Sequence, residues 1–452
     1  MAPMKILIVG CGIAGPTLAS FLLLANIPAD QKPHITILER ASQPRAHLRG
    51  QNIDIRGAGV ALIRKLGIET LIRSSTTGEE GVKLVDRDNR VWASNAADKT
   101  GKLQTPTSDI EILRGRLADI CWKNSQRVSS EVEREGGNAV EYIFGDLLDT
   151  VEQDGNKVHV RFANSGQQRA FDLVVGADGM QSQTRQLVWG AEGESQRLKR
   201  LGMYAGFFSI PKGNTDDKWR RWFHAPGRRG IMLRPDDRGA RTTVFMQVVN
   251  EEDPRFVEAS NKGVGFQKAL LEEYFFNAGW ESPRVIQGMK ETDDFYYDMV
   301  AQVRMDRWSK GRVVLLGDAG YCASPISGMG TTLAFVGAYN LAGALNKHFK
   351  EAGEDLSIAF AEYEEKMRPV VNKAQKLAPR LPRLINPETA WGIMVLHIII
   401  RVLSWTRVIF AVFKFLGKIG PATADSVQIE EYGFKQMAEW ENKSGDENAQ
   451  GN

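Results

Sequence analysis

Lys5-Ile6-Leu7-Ile8-Val9-Gly10-Cys11-Gly12-Ile13-Ala14-Gly15-Pro16-Thr17-Leu18-Ala19 decides the fold of this 452-residue chain. Ile6 to Val9 is an unbroken apolar run, the pattern of a parallel strand covered on both faces. Gly10, Gly12 and Gly15 then fit G-x-G-x-x-G, and an apolar helix is predicted over Ala14 to Leu24. In this pattern the first glycine makes a tight turn and the second lets a pyrophosphate approach the backbone. The third lets helix and strand pack closely. The helix start adds unpaired N–H groups and a partial positive charge. A second strand, His34-Ile35-Thr36-Ile37-Leu38-Glu39, ends in an acid that can accept ribose hydroxyls. Glu39 lies 24 residues beyond Gly15, and the polar loop Asn26 to Pro33, with two prolines, accounts for the length.

Two more apolar runs end in the same way. Phe171-Asp172-Leu173-Val174-Val175-Gly176 leads into Ala177-Asp178-Gly179, and Arg312-Val313-Val314-Leu315-Leu316 leads into Gly317-Asp318-Ala319. Ligands of an open α/β sheet sit beyond the carboxyl ends of its strands. Asp178 or Asp318 alone could be a turn or helix-capping residue. Three such strand ends together favour one shared site. Helices are expected over Gly57 to Leu66, Ile110 to Cys121 with Arg114 at its start, Thr331 to Lys347 and Ile358 to Lys376. Short strands are expected over Val140 to Phe144, Asp149 to Gln153 and Lys157 to Phe162.

Val82 to Ala93, turning at Asp88-Asn89, leaves the parallel pattern and reads as a first visit to a second, antiparallel domain. Ala96 to Ser108 reads as a polar loop. Met203 to Ile210, Trp219 to His224, Gly230 to Leu233 and Thr242 to Val249 continue the second domain, with a helix over Phe266 to Phe276. Phe207, Phe208, Trp219, Trp222 and Phe223 are numerous enough to line an apolar pocket, although core packing explains most of them.

Composition narrows the function. Apolar content of 42% with 25% charged residues is ordinary for a globular chain, and a net charge of +3 without a Lys/Arg tract argues against a nucleic-acid role. Cys11, Cys121 and Cys322 have no metal spacing, and the six histidines are scattered, so no metal site is expected. The cysteine usage fits a reducing, cytoplasmic setting. No Ser/His/Asp or Cys/His arrangement suggests a protein nucleophile.

On these residues the chain resembles the class A flavoprotein monooxygenases, the aromatic-hydroxylase type, over nearly all of residues 4–375. The stretch Gly317 to Leu345 is especially similar to fungal and actinobacterial members that tailor secondary metabolites. The resemblance is carried by Gly10-x-Gly12-x-x-Gly15 with Glu39-Arg40, by Arg114-x-x-Leu117, and by Gly176-Ala177-Asp178-Gly179 with Ser182 and Arg185. Trp308, Gly311-Arg312, and Gly317-Asp318-Ala319 through Pro325 to Gly328-x-Gly330 complete it. Tyr321 and Gly337 depart from the usual pattern.

The implied fold is α/β. A Rossmann-like FAD-binding domain with a mixed sheet (residues 1–81, 108–190 and 291–375) is interleaved with an antiparallel-sheet substrate domain (82–107 and 191–290). A C-terminal helical segment and polar tail (376–452) follow, the tail frayed from Glu430 onward. The resemblance implies that Gly10, Gly12, Ile13, Ala14, Gly15 and Glu39 hold the ADP half of FAD. Arg40 and Arg114 would add charge-assisted hydrogen bonds. Asp318 would bind the ribityl chain or the pyrophosphate region, Pro325 would also contact the cofactor, and Gly328, Gly330 and Thr331 would open a helix facing the pyrimidine end of the flavin. Asp178 and Gly179 would serve both FAD and a transient NADPH or NADH site. No second G-x-G-x-x-G follows a strand, which favours transient docking of the nicotinamide. The implied chemistry is flavin reduction, addition of O2 to give a C4a-hydroperoxide, and hydroxylation or epoxidation of an apolar or aromatic small molecule of polyketide, indole or terpenoid type. The competing readings are an FAD-dependent reductase or dehydrogenase of an isoprenoid-like substrate and a non-enzymatic prenyl-escort protein on the same fold.

Substrate-side residues are less determined. The catalytic candidates are Arg56, Tyr296, Tyr297 and His224; the resemblance puts Arg56 and Gln51 near the isoalloxazine, and His224 and Arg234 come from the pocket sheet. The segment 391–416 is the most apolar part of the chain, but Thr389 to Ile400 is its longest stretch without Asp, Glu, Lys or Arg. That is short of the roughly 18 residues a span needs. A bridging helix across the two domains is expected, with a helix lying on a membrane surface as the alternative.

Overall fold

The computed structural model describes residues 3–44, 51–97, 110–348, 355–405 and 427–440. Its organising element is a six-stranded sheet in the order Ser309–Lys310, Val313–Leu315, Leu173–Gly176, Lys5–Val9, His34–Glu39, Glu141–Phe144. All pairings are parallel except that of the two-residue edge strand. Val9 stands level with Leu38 and Gly176, and Gly176 with Leu315, so the three glycine-linked turns leave the sheet at one edge.

The unbroken apolar runs have a two-sided cause. Ile6, Ile8, Ile35, Ile37 and Val175 face a helical core. Leu7, Val9, Leu38, Val174 and Val313 face a three-stranded antiparallel sheet, Leu148–Gln153, Val158–Phe162 and Gln168–Phe171. With both faces covered, side-chain alternation leaves few polar positions, and Thr36, the buried exception, donates its hydroxyl to Glu141 at 3.0 Å. The helix Ala14–Leu23 is buried along its whole length and packs against Arg114–Arg134 and Gly330–His348.

A seven-stranded sheet forms the second layer, in the order Tyr296–Val303, Leu198–Pro211, Arg241–Val249, Arg229–Pro235, Trp219–Ala225, Gly81–Val85, Val91–Ala96. The early excursion thus joins this sheet, as expected, with Gly81–Val85 running parallel to Trp219–Ala225. Strand Tyr296–Val303 pairs along Leu198–Pro211 and carries the sheet past the expected boundary at residue 290. Helices Arg255–Ala259, Val264–Phe275 and Ser282–Glu291 cover one face.

Several expectations are corrected. The helix expected from Ile110 begins at Arg114 and runs to Arg134, because Glu111–Leu113 pairs with Asn52–Asp54 as a short antiparallel ribbon. The parallel strand begins at Leu173, since Gln168–Phe171 belongs to the three-stranded sheet and Asp172 accepts a hydrogen bond from the Lys5 amide at 2.8 Å. Ser282–Glu291 was not anticipated as a helix, although Pro283 in its first turn is a start signal. Residues 430–440 are not frayed. The Glu430 carbonyl accepts from the Tyr339 hydroxyl at 2.8 Å, and Lys435, Met437 and Trp440 donate backbone hydrogen bonds to Leu24, Lys65 and Gly67. Phe434 packs on Phe21 and Tyr339, with ring centroids 5.5 and 5.4 Å away. Most of the polar loop expected over Ala96 to Ser108, residues 406–416 of the apolar segment and the tail beyond 440 lie outside the described residues.

Candidate functional site

The glycines of the three turns fall into two physical groups. Gly10 has φ +113°, and a Cβ there would stand 2.4 Å from the Ala177 carbonyl oxygen; one on Gly15 would stand 2.1 Å from the Gly10 carbonyl oxygen. These two are required by contact between the turns themselves. A Cβ on Gly12, Gly179 or Gly328 meets no protein atom within 4 Å. Their open sides leave backbone available to a ligand, which is the arrangement a pyrophosphate and a flavin edge require.

The acids are partly engaged in holding these turns. Glu39 accepts from the Cys11 amide at 2.9 Å and the Ala41 amide at 3.0 Å, so it braces the glycine turn from the neighbouring strand. Arg40 follows it at the strand end and is exposed. Asp178 accepts from the Ser182 hydroxyl at 2.6 Å and from the Thr184 amide and hydroxyl at 2.9 and 3.0 Å, fixing the start of helix Gln183–Trp189. Ser182 is the N-cap itself, its hydroxyl accepting from the Arg185 amide at 2.9 Å, and Asp178 holds that cap in place. Arg185 is the tie that sequence reasoning gave no role: fully buried, it donates to the Met180 carbonyl at 2.7 Å and the Ala319 carbonyl at 2.6 Å. It locks the Asp178 turn to the Asp318 turn, with its charge met by Glu194.

Past Asp318, Pro325–Ser327 forms a single 3-10 turn, Gly328 adopts φ +63°, and helix Gly330–His348 begins with Thr331 buried in its first turn. Two departures from the family pattern, Tyr321 and Gly337, meet in space. A Cβ on Gly337 would stand 2.0 Å from the Tyr321 hydroxyl, so Tyr321 occupies the space a larger residue would need. That hydroxyl accepts from the Tyr363 hydroxyl at 2.9 Å.

Arg114, Tyr296, Asp298 and Asp318 share one electrostatic environment along the cleft. The Arg114 side chain is exposed on the cleft side; desolvation by the surrounding protein opposes its charge, but Tyr296, Asp318 and Asp298 together outweigh this and hold its guanidinium more firmly protonated than usual. Burial raises Asp298 to about 6, against the pull of Arg114 and a hydrogen bond from Tyr296. Desolvation by the protein around it, then Asp298, raises the Tyr296 phenol further above its ordinary range, with Arg114 and Arg40 acting in the opposite sense. Asp298 was not singled out from sequence. The signal was strand alternation, which puts residues 296, 298 and 300 on one face.

The same alternation separates the two tyrosine candidates. Tyr296 is 38% exposed. Tyr297 points to the helix-covered side, where its hydroxyl donates to the Phe256 carbonyl at 2.7 Å, so it is a core residue. Phe207 lies between Phe245 and Tyr296, with centroids 4.8 and 6.1 Å away. Phe245 also packs, together with Ile326 of the Pro325–Ser327 turn, against Met203, Val249 and Val300. The aromatic face of the seven-stranded sheet is therefore continuous with the turn that precedes Gly328. Phe208, its neighbour in the strand, faces the helices instead.

His224 and Arg234 are placed elsewhere than expected. His224 is buried between Trp222 and His397, at ring distances of 4.8 and 5.7 Å, beneath the C-terminal helix Ala390–Trp405. Burial, then His397, lowers it to about 3, so it is neutral at physiological pH. Arg234 ion-pairs with Glu79 at 2.9 Å and with Glu111. Arg220 bridges the same two acids at 2.7 and 3.2 Å. This buried network joins the seven-stranded sheet to the Asn52–Asp54 ribbon and leaves Arg234 committed to structure. Arg56 pairs with Asp54 at 3.0 Å, and its carbonyl lies 3.4 Å from the Thr332 hydroxyl, beside Thr331. Gln51 contributes its carbonyl to the Arg114 amide at 3.1 Å.

A cleft that receives an extended dinucleotide and adjoins an aromatic sheet face is what an FAD-dependent monooxygenase requires, and this chain is of that class. Residues 3–378 match the FAD binding domain family, to which the chain belongs. It is 35% identical to the FAD-dependent monooxygenase asL6 of Sarocladium schorii over 89% of this chain and 93% of that one. It is 31% identical to monooxygenase CTB7 of Cercospora beticola over 95% and 98% of the two chains. Among solved structures, tetracycline destructase Tet(51) superposes with TM-score 0.71 and 27% identity, covering 96% of this chain and all of that one. Klebsiella pneumoniae HpxO complexed with FAD and uric acid shares the fold at TM-score 0.66 and 19% identity, covering 93% and 98%.

Proposed function

We propose that this protein uses NADPH or NADH and O2 to hydroxylate or epoxidise an apolar or aromatic small molecule of secondary metabolism. The observation that carries the reading is the continuity between the cleft at Gly12, Arg114 and Asp318 and the aromatic face of Phe207, Phe245 and Tyr296. Bound FAD supplies the redox and oxygen chemistry. Gly12 and the start of helix Ala14–Leu23 would hold its pyrophosphate, Glu39 the adenosine ribose, and Asp318 and Arg114 the ribityl region. Gly328, Gly330 and Thr331 would meet the pyrimidine edge, where a helix N-terminus stabilises developing negative charge.

The remaining work falls to the sheet face. Phe207 and Phe245 present a flat apolar wall that orients a planar substrate and keeps water out. Tyr296, neutral and backed by Asp298, offers a hydroxyl at the junction of wall and cleft. Likeness to a tetracycline destructase supports polycyclic, polyketide-type substrates as the first to try. The test is substrate-stimulated NADPH oxidation matched by oxygen uptake, across polyketide, indole and terpenoid panels. Reduction of a substrate double bond without oxygen consumption would refute this reading in favour of the reductase.

A further inference from the structure

The helix Ala390–Trp405 is apolar except for His397, Arg401 and Ser404, and the described residues cover it on one side only. Its inner face packs through Ile393 (8% exposed) and His397 (3%), the latter against Trp92 of the edge strand Val91–Ala96. Its outer face leaves Trp391 70%, Met394 44%, Ile398 45% and Ile399 50% exposed. At 100° per residue these four lie within one side of the helix, and Arg401, also exposed, flanks them. A helix that is apolar around its whole circumference normally has both sides covered. Large apolar side chains grouped on one exposed face mark an interaction site.

Charge selects the occupant. From Thr389 to Ala424 the sequence carries Arg401, Arg407, Lys414 and Lys418 and no Asp or Glu. Glu388, just before the helix, is paired with Arg228 at 2.7 Å. The helix face with Trp391 and Ile398, flanked by Arg401 and set in an acid-free stretch of sequence, suits the boundary of an anionic lipid layer, with the arginine stem lying along the apolar surface and its charge at the headgroups. No helix among the described residues is long and apolar enough to cross a membrane. We infer that the outer face of Ala390–Trp405 docks this protein peripherally on anionic membrane surfaces. The inference goes beyond the proposed activity, and its test needs no turnover.

The test is co-sedimentation of the full-length, FAD-loaded protein with vesicles of phosphatidylcholine, with and without phosphatidylserine. The wild type should sediment with the anionic vesicles and be released by high salt. The double substitution W391E/I398E should weaken binding at least about tenfold, since each removes an apolar side chain that the lipid layer would cover. Because both positions are exposed, flavin absorbance and melting temperature should not change. Arg401→Glu, which leaves the apolar face intact, should lower affinity for anionic vesicles only. Failure of the wild type to bind anionic vesicles would overturn the inference. So would binding untouched by these substitutions, or a solution dimer that W391E/I398E converts to monomer, which would make a second copy the occupant.

Discussion

Replacing Gly12 by alanine separates a glycine kept for a ligand from one kept for the fold. A Cβ at Gly12 meets no protein atom within 4 Å, and its φ lies outside the left-handed region, so the apoprotein should accept the methyl group. Its stability should stay within about 1 kcal/mol of the wild type. The methyl would stand where the pyrophosphate approaches the backbone. Losing one amide–phosphate hydrogen bond removes roughly 1.5–3 kcal/mol of binding, about ten- to hundredfold in Kd. Gly15→Ala is the control, because its Cβ would lie 2.1 Å from the Gly10 carbonyl oxygen and the turn must move. That variant should lose both FAD and stability. The assay is flavin-to-protein absorbance ratio, FAD titration into apoprotein, and urea denaturation of each apoprotein. A Gly12→Ala protein with wild-type FAD affinity would refute the assignment, as would an apoprotein that unfolds as early as Gly15→Ala.

Arg114→Ala should weaken FAD binding by about tenfold or more, with Arg114→Lys recovering part of it, as read by the same titration. Gly337→Ala should destabilise the protein, and Tyr321→Phe should relieve most of that loss by removing the hydroxyl 2.0 Å from the new Cβ. A double-mutant cycle in urea should show a coupling of roughly 1–2 kcal/mol, and additive effects would contradict the steric pairing. His224 is lowered to about 3 when folded, so the unfolded chain binds more protons between about 6.5 and 3. Stability should therefore be fully present above pH 6.5 and fall as pH drops through that window, and His224→Phe should flatten the acid limb of a stability–pH profile. Phe434→Ala should cost roughly 2 kcal/mol by opening the contact with Phe21 and Tyr339, measured by urea denaturation.

Much of the cofactor region was legible because it is local. Gly10 to Gly15, Glu39, Asp178-Gly179 and Gly317-Asp318 each sit within a few residues of a strand end, and a buried strand announces itself as an apolar run. Parallel pairing brings such ends to one edge, so the convergence expected from sequence is what the register shows. The substrate side was poorly legible because it depends on which face each residue of a strand presents and on what packs there. Tyr296 and Tyr297 are adjacent and alike in the sequence, yet one lines the cleft and the other bonds Phe256 in the core. Arg234 reads as a free pocket cation until Glu79 and Glu111 arrive from distant segments.

By itself the sequence determined the glycine turn, the acids that follow the strands and the class of ligand, since these rest on backbone conformations that neighbouring residues dictate. Only the tertiary structure separated Gly12, open to a ligand, from Gly10 and Gly15, closed by the chain's own carbonyls. It alone joined Tyr321 to Gly337, set Arg185 between two turns, and tied residues 430–440 to Tyr339 and to the ends of helices Ala14–Leu23 and Ala58–Lys65. The physical reason is one of distance along the chain. A turn is specified by the residues within it, whereas the space beside a side chain is specified by whatever packs there from far away in the sequence.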